Sequence, residues 1–139
     1  MAKEENLQAQ ERLAEMVNGG DLTELGGVFG EGVVDHDPAP GQAPGVDGFR
    51  DFFTTLRTAF PDLALEPATI VADDDHVCLA YTITGTHDGD FAGVAPTGRK
   101  ISARGVQIAR FEDGKIVERW GSSDELGILQ QLDAAPASS

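Results

Sequence analysis

The side chains in this chain best suited to chemistry are carboxylates, histidines and a few isolated polar residues. Asp124 follows a strand-like segment containing Trp120 and precedes an apolar helical pattern of Leu126, Ile128, Leu129 and Leu132. A carboxylate there caps a helix by accepting free N–H groups. It can also reach a pocket, because strand ends often line pocket mouths. His36 in VVDHDP and His87 in GTHDGD each sit beside an Asp at a predicted strand end, where a histidine making one hydrogen bond is the plain alternative to a functional one. His76 adjoins the acidic turn Asp73-Asp74-Asp75 and reads as structural. No pair of these residues has the i, i+4 helical or i, i+2 strand spacing of metal ligands, so no metal is expected. Arg104 and Gln107 interrupt an otherwise apolar strand. The arginine there is an ion-pair partner, a ligand contact or simply exposed. Cys78, the only cysteine, lies in the apolar run HVCLAYTI and reads as a small buried hydrophobe. There is no GxSxG elbow, no P-loop and no GxGxxG opening a helix. What remains is acid–base chemistry by a carboxylate and a histidine in a largely apolar cavity, walled by Phe52, Phe53, Phe91 and Trp120.

The elements that must position these groups follow from periodicity. Glu4–Asn18 reads as a helix with Leu13, Met16 and Val17 on one face, stopped by Gly19-Gly20. Asp21 and Glu24 have the spacing of a capping box for a short, glycine-weakened second helix. VVDHDP is a short strand ended by Pro38, followed by the Pro- and Gly-rich loop APGQAPG. Phe49, Phe52, Phe53, Leu56 and Phe60 recur at helical spacing behind Asp47, a good N-cap, and Pro61 ends the helix. Beyond Pro61 the period becomes that of strands, over Leu63–Ala72, Val77–Thr84, Lys100–Glu112 and Lys115–Ser122, with Asp113-Gly114 as a hairpin turn. Within Lys100–Glu112 the apolar phase slips between Ala103 and Val106, and Gly105 is where a bulge is expected. Helices and strands are segregated, so the expected class is α+β, with N-terminal helices packed on a strongly curved antiparallel sheet and a pocket between them.

Composition bounds the function. The chain has 139 residues, a mass of 14.7 kDa and 40% hydrophobic residues, which is one globular domain. Residues 1–132 are expected to form it, and 133–139 to be a frayed tail. The net charge of -14 and pI near 4.3 exclude a phosphate-backbone partner and disfavour an acidic membrane surface. No apolar run approaches the roughly 18 residues of a membrane span, and the acidic, polar start MAKEENLQAQ is not that of a signal peptide. The expected location is the cytoplasm, and the expected partner is a small, apolar or aromatic molecule.

The order VVDHDP, a Phe-rich helix ending FPDL, GTHDGDFAGVAPTGRKI and RFEDGKIVERWGSSDELGILQQL resembles the SnoaL-like polyketide cyclases of the nuclear transport factor 2-like superfamily, over about His36 to Leu132. The resemblance implies a cone-shaped α+β barrel and intramolecular aldol ring closure without metal or organic cofactor. It implies that the aspartate a few residues past the last-strand Trp, here Asp124, is the general acid/base. It implies that His87 and His36 match pocket histidines of the family, that Arg104 and Gln107 fall on a strand whose polar side chains enter the pocket, and that His36, His87 or Arg104 hydrogen-bonds the carbonyl oxygen where charge develops. A homodimer formed through the outer face of the sheet, with Val106 or Ile108 in contact, is a further implication. The same fold hosts noncatalytic ligand-binding proteins, isomerases and epoxide hydrolases. The isomerase pattern is poorly served by a chain with Tyr81 as its only tyrosine.

Overall fold

A computed structural model describes residues 2–39 and 41–133. The expected tail, apart from Asp133, lies outside the described residues. Three α-helices, α1 (Ala2–Gly19), α2 (Gly45–Ala59) and α3 (Glu125–Gln131), accompany five strands: β1 (Phe29–Asp35), β2 (Ala64–Ala72), β3 (His76–Thr86), β4 (Lys100–Glu112) and β5 (Lys115–Ser123). The strands form one open sheet in the order β1-β5-β4-β3-β2. The fold is α+β, as the segregated periodicities require.

Two details differ from the expectation of an antiparallel sheet bulged at Gly105. β1 joins β5 in parallel, so the sheet is mixed; the intervening helices and strands supply the long crossover a parallel pair needs. Pairing runs without a break through Gly105, which opposes Tyr81 on β3 and Ser123 on β5, and the register shifts only between Arg110 and Phe111. Ile101, Ala103, Gly105, Gln107, Ala109 and Phe111 therefore all face inward, while Val106 and Ile108 face outward and are exposed. The slip seen in the sequence is a change of chemistry along two faces, not a kink in the backbone.

The helices also depart slightly from their sequence signals. The capping-box segment forms only a 3₁₀ turn at Leu25–Gly27, and Asp21 accepts the N–H of Thr23 in a local turn instead. α2 starts behind Pro44, two residues before Asp47, whose carboxylate pairs with Arg50 at 2.8 Å. One face of α1 carries Ala9, Leu13 and Val17 into the core. Phe49 of α2 stacks on Phe29 of β1, with ring centroids 4.4 Å apart. Arg57 of α2 donates to the carbonyls of Val17, Asn18, Leu63 and Pro61, joining the end of α1 to the α2–β2 turn. Pro67 is tolerated because β2 is an edge strand. Together α1 and α2 cover the inner face of the sheet but leave a space over its middle.

Candidate active site

That space is a cavity of about 320 Å³. Its walls are largely apolar: Phe49, Phe52, Phe53 and Leu56 from α2, Leu13 and Val17 from α1, Leu79 and Ile83 from β3, and Phe91 from the β3–β4 loop. The helical spacing of the phenylalanines presents several rings to one side, which is why a single helix can wall the cavity.

Its polar lining comes from the strands. Asp35, the last residue of β1, and Arg119 of β5 are register partners, so both side chains enter from the inner face. Arg119 Nη1 donates to the Asp35 carboxylate at 3.2 and 3.4 Å, and its Nε donates to Gln107 Oε1 at 3.1 Å. Side-chain exposure is 6% for Asp35 and 15% for Arg119, so this ion pair is nearly dry. Asp35 also accepts from Gln42 Nε2 and from the backbone N–H of Asp37. Asp37 in turn accepts from the N–H of Gly121. The HDP segment and the following loop are thereby tied to the site. Tyr81 lies beside this cluster; burial pushes its phenol up from the ordinary value, and the charge of Arg119 pulls the other way. On the α1 wall, the Oε1 of buried Gln10 has no partner among the described residues.

The structure gathers some of the sequence candidates and scatters others. Gln107, Phe52, Phe53 and Phe91 line the cavity. Arg104 does not: strand alternation sends it to the outer face, where it is exposed. Trp120 and His36 are also outside, stacked on each other at 4.7 Å, with His36 Nε2 3.8 Å from Glu118. His87 is fully buried behind Phe60 and Phe91. Its Nδ1 accepts the backbone N–H of Thr97 and lies 2.9 Å from the Thr97 hydroxyl, while its Nε2 has no described partner. This histidine holds the loop that carries Phe91. Asp124 is exposed and caps α3, accepting the N–H of Gly127 at 2.9 Å. Its neighbours Ser123 and Glu125 line the cavity, which places Asp124 at the rim.

Two other places group charged side chains. Asp73, Asp75 and His76 bring ligand atoms within 4.8 Å of one another. There Asp73 accepts the N–H groups of Asp75 and His76, which is the hydrogen bonding of a tight turn. A wider depression of about 590 Å³ between α1 and the β4–β5 turn is lined by charged groups, among them Glu5, Glu11, Arg12, Glu15 and Lys115. It offers little apolar surface to an organic ligand.

Comparison with known proteins decides the family. The profile of the SnoaL-like polyketide cyclases matches residues 7–132. This chain belongs to that family. It is 30% identical over 102 residues to aklanonic acid methyl ester cyclase DnrD of Streptomyces peucetius, covering 73% of this chain and 68% of that protein. Its fold superposes on TsrD of Streptomyces laurentii with a TM-score of 0.88 at 25% identity, covering 96% of this chain and 98% of the other. AclR of Streptomyces galilaeus, a candidate hydroxylase, gives 0.84 at 31% identity, covering 96% and 99%.

For a SnoaL-like chain, then, the sequence reading overlooked Asp35, Arg119 and Tyr81. Asp35 adjoins His36 in VVDHDP, but strand alternation sends the aspartate inward and the histidine outward. Arg119 has the same relation to Trp120. A carboxylate and an arginine 84 residues apart carry no local signal of their pairing.

Proposed function

We propose that this chain closes a ring in a small polyketide-type substrate by cofactor-independent aldol chemistry. The observation that carries the reading is a Phe-walled cavity with a largely desolvated, hydrogen-bonded arginine at its polar side. The apolar walls suit a flat, carbonyl-rich molecule, and the polar side suits the oxygen on which charge develops.

The reaction is an isomerisation. Asp124 takes a proton from a carbon flanked by two carbonyls, and the enolate carbon attacks a second carbonyl carbon of the same molecule. One C–C bond forms, the C=O pair moves to oxygen, and Asp124 returns the proton to the alkoxide. To act, the carboxylate turns from the Gly127 N–H toward the cavity it borders. Asp35 is a poor candidate for that role because Arg119, Gln42 and the Asp37 N–H already occupy its oxygens. His87 supports the reaction by holding the Phe91 loop.

The reading includes a cytoplasmic location, a small uncharged partner molecule and a homodimer. Val34, Val71, Val106 and Ile108 are exposed on the outer face of the sheet, which Trp120 shares, and this apolar surface is the proposed contact.

The test uses aklanonic acid methyl ester and simpler 1,3-dicarbonyl compounds, with products followed by chromatography and mass spectrometry. Ring closure leaves the mass unchanged or removes water, whereas a hydroxylase outcome adds oxygen. Asp124→Asn is expected to keep its melting temperature, since Asn caps as well as Asp. It is expected to lose on the order of 10²–10⁴-fold in turnover. Full turnover in that variant removes Asp124 from the mechanism.

A further inference from the structure

We propose that Tyr81 and Arg119 are a donor pair built onto two bare glycines, and that they receive the oxygen that gains charge in the reaction. The inference rests on the cyclase reading and adds two catalytic residues to it.

The two glycines supply the geometry. Gly105 on β4 and Gly121 on β5 both lie on the inner face in the middle of the sheet. Glycine inside a strand is unfavourable relative to Ala, so its presence there points to a close approach from above. A Cβ on Gly105 would lie 2.5 Å from Cζ of Tyr81 and 2.6 Å from its hydroxyl oxygen. A Cβ on Gly121 would lie 2.5 Å from Nη2 of Arg119 and 2.7 Å from its Cζ. Both polar side chains are therefore laid flat on the sheet where it has no side chains of its own.

Register makes them converge. Tyr81 lies across from Gly105 and Arg119 across from Ala109, while the pair Gln107–Gly121 falls between those two levels on the same face. Arg119 leans over Gly121 toward that middle level, held by Asp35 on Nη1 and Gln107 on Nε. Its Nη2 and the Tyr81 hydroxyl make no hydrogen bond to any described residue, and both side chains line the cavity. Two donors thus remain free in a partly desolvated site, where a hydrogen bond to a charged oxygen is worth more than in water.

Asp35 explains why such a site belongs in an acidic protein. Its carboxylate balances the Arg119 charge, so the cavity does not attract a carboxylate in the ground state. The donors act most strongly on an oxygen whose charge appears during the reaction, which is the condition for raising turnover rather than only tightening binding. Burial that raises the Tyr81 phenol keeps it protonated and able to donate.

The experiment uses 4-nitrophenol as a probe, because its phenolate resembles an enolate oxygen and its ionisation is visible by absorbance. With the full-length protein, the bound phenol is expected to ionise at lower pH than the free phenol. Tyr81→Phe is expected to lower phenolate affinity about tenfold or more. With aklanonic acid methyl ester it is expected to lower kcat by about 10²-fold with little change in KM, the effect of losing one oxyanion donor. Gly105→Ala, which removes no donor but displaces the Tyr81 ring, is expected to reproduce the loss and keeps the proposal testable should Tyr81→Phe fold poorly. Absence of phenolate binding by the wild type, or unchanged phenolate binding and kcat in both variants, overturns the donor pair. A phenolate shift that depends on Tyr81 in a protein that closes no ring supports the donor pair and removes the cyclase reading instead.

Discussion

The two faces of the β4–β5 ladder carry the same kind of ion pair in adjacent residues and use it differently. Outside, Arg110 pairs with Glu118 at 3.3 Å and with Glu112 at 3.0 Å, beside the stacked rings of His36 and Trp120. Inside, one residue along from Glu118, Arg119 pairs with Asp35 under the helices. The outer pair is open to water, with 30% of each side chain exposed: the Arg110 hydrogen bond holds Glu118 below the usual carboxylate range and Glu118 holds the guanidinium above its own. The inner pair is held by Gln42, Gln107, the backbone N–H of Asp37 and a bare glycine. Chemical type and strand are shared; desolvation and rigid support are not. A surface arginine answers to water, whereas a supported, partly desolvated one can direct a free N–H at a substrate.

The sharpest way to break this contrast is to remove the inner arginine. Arg119→Ala leaves Asp35 buried without its partner and is expected to destabilise the fold by about 3 kcal/mol, measured by urea unfolding. Adding Asp35→Asn should recover much of that stability but not catalysis. A loss below about 1 kcal/mol in the single variant would mean the pair is as solvated as the outer one.

A smaller effect on the fold, but a large one on assembly, is expected outside. Val106→Asp places a charge on the proposed dimer surface. Light scattering should fall from twice 14.7 kDa to the single-chain mass. The stability of the single chain should change by no more than about 0.5 kcal/mol, since the site is half exposed. A wild-type chain that is monomeric at high micromolar concentration ends the dimer proposal.

The smallest effect belongs to Glu118→Gln and shows in its pH dependence. The folded Glu118 has a lowered proton affinity, so the unfolded chain binds the extra proton first on acidification. Its contribution is present above the ordinary glutamate range and is lost as pH falls through the folded value. The wild type should therefore exceed the variant in melting temperature above the ordinary glutamate range, and the two should converge as pH falls through the lowered folded value. A constant difference across that range would place the effect in packing instead.

Local sequence determined the elements of this protein and much of the family assignment. β4 runs from Lys100 to Glu112 as its period requires, and the Phe stripe of α2 places Phe52 and Phe53 on the cavity wall. These were legible because periodicity is local: each residue's face depends on neighbours two to four positions away. Even the apparent phase slip at Gly105 was informative, since it marks where the inner row turns polar for the site and the outer row turns apolar. Which row faced inward, however, was not in the pattern. That depended on α1 and α2 covering one side of the sheet, and it placed Arg104, His36 and Trp120 outside and Asp35, Gln107 and Arg119 within. The pairing of β1 with β5, which joins Asp35 to Arg119 across 84 residues, is likewise a tertiary decision. So is the fit of Tyr81 over Gly105, because a glycine shows its purpose only when the side chain filling its space is in view.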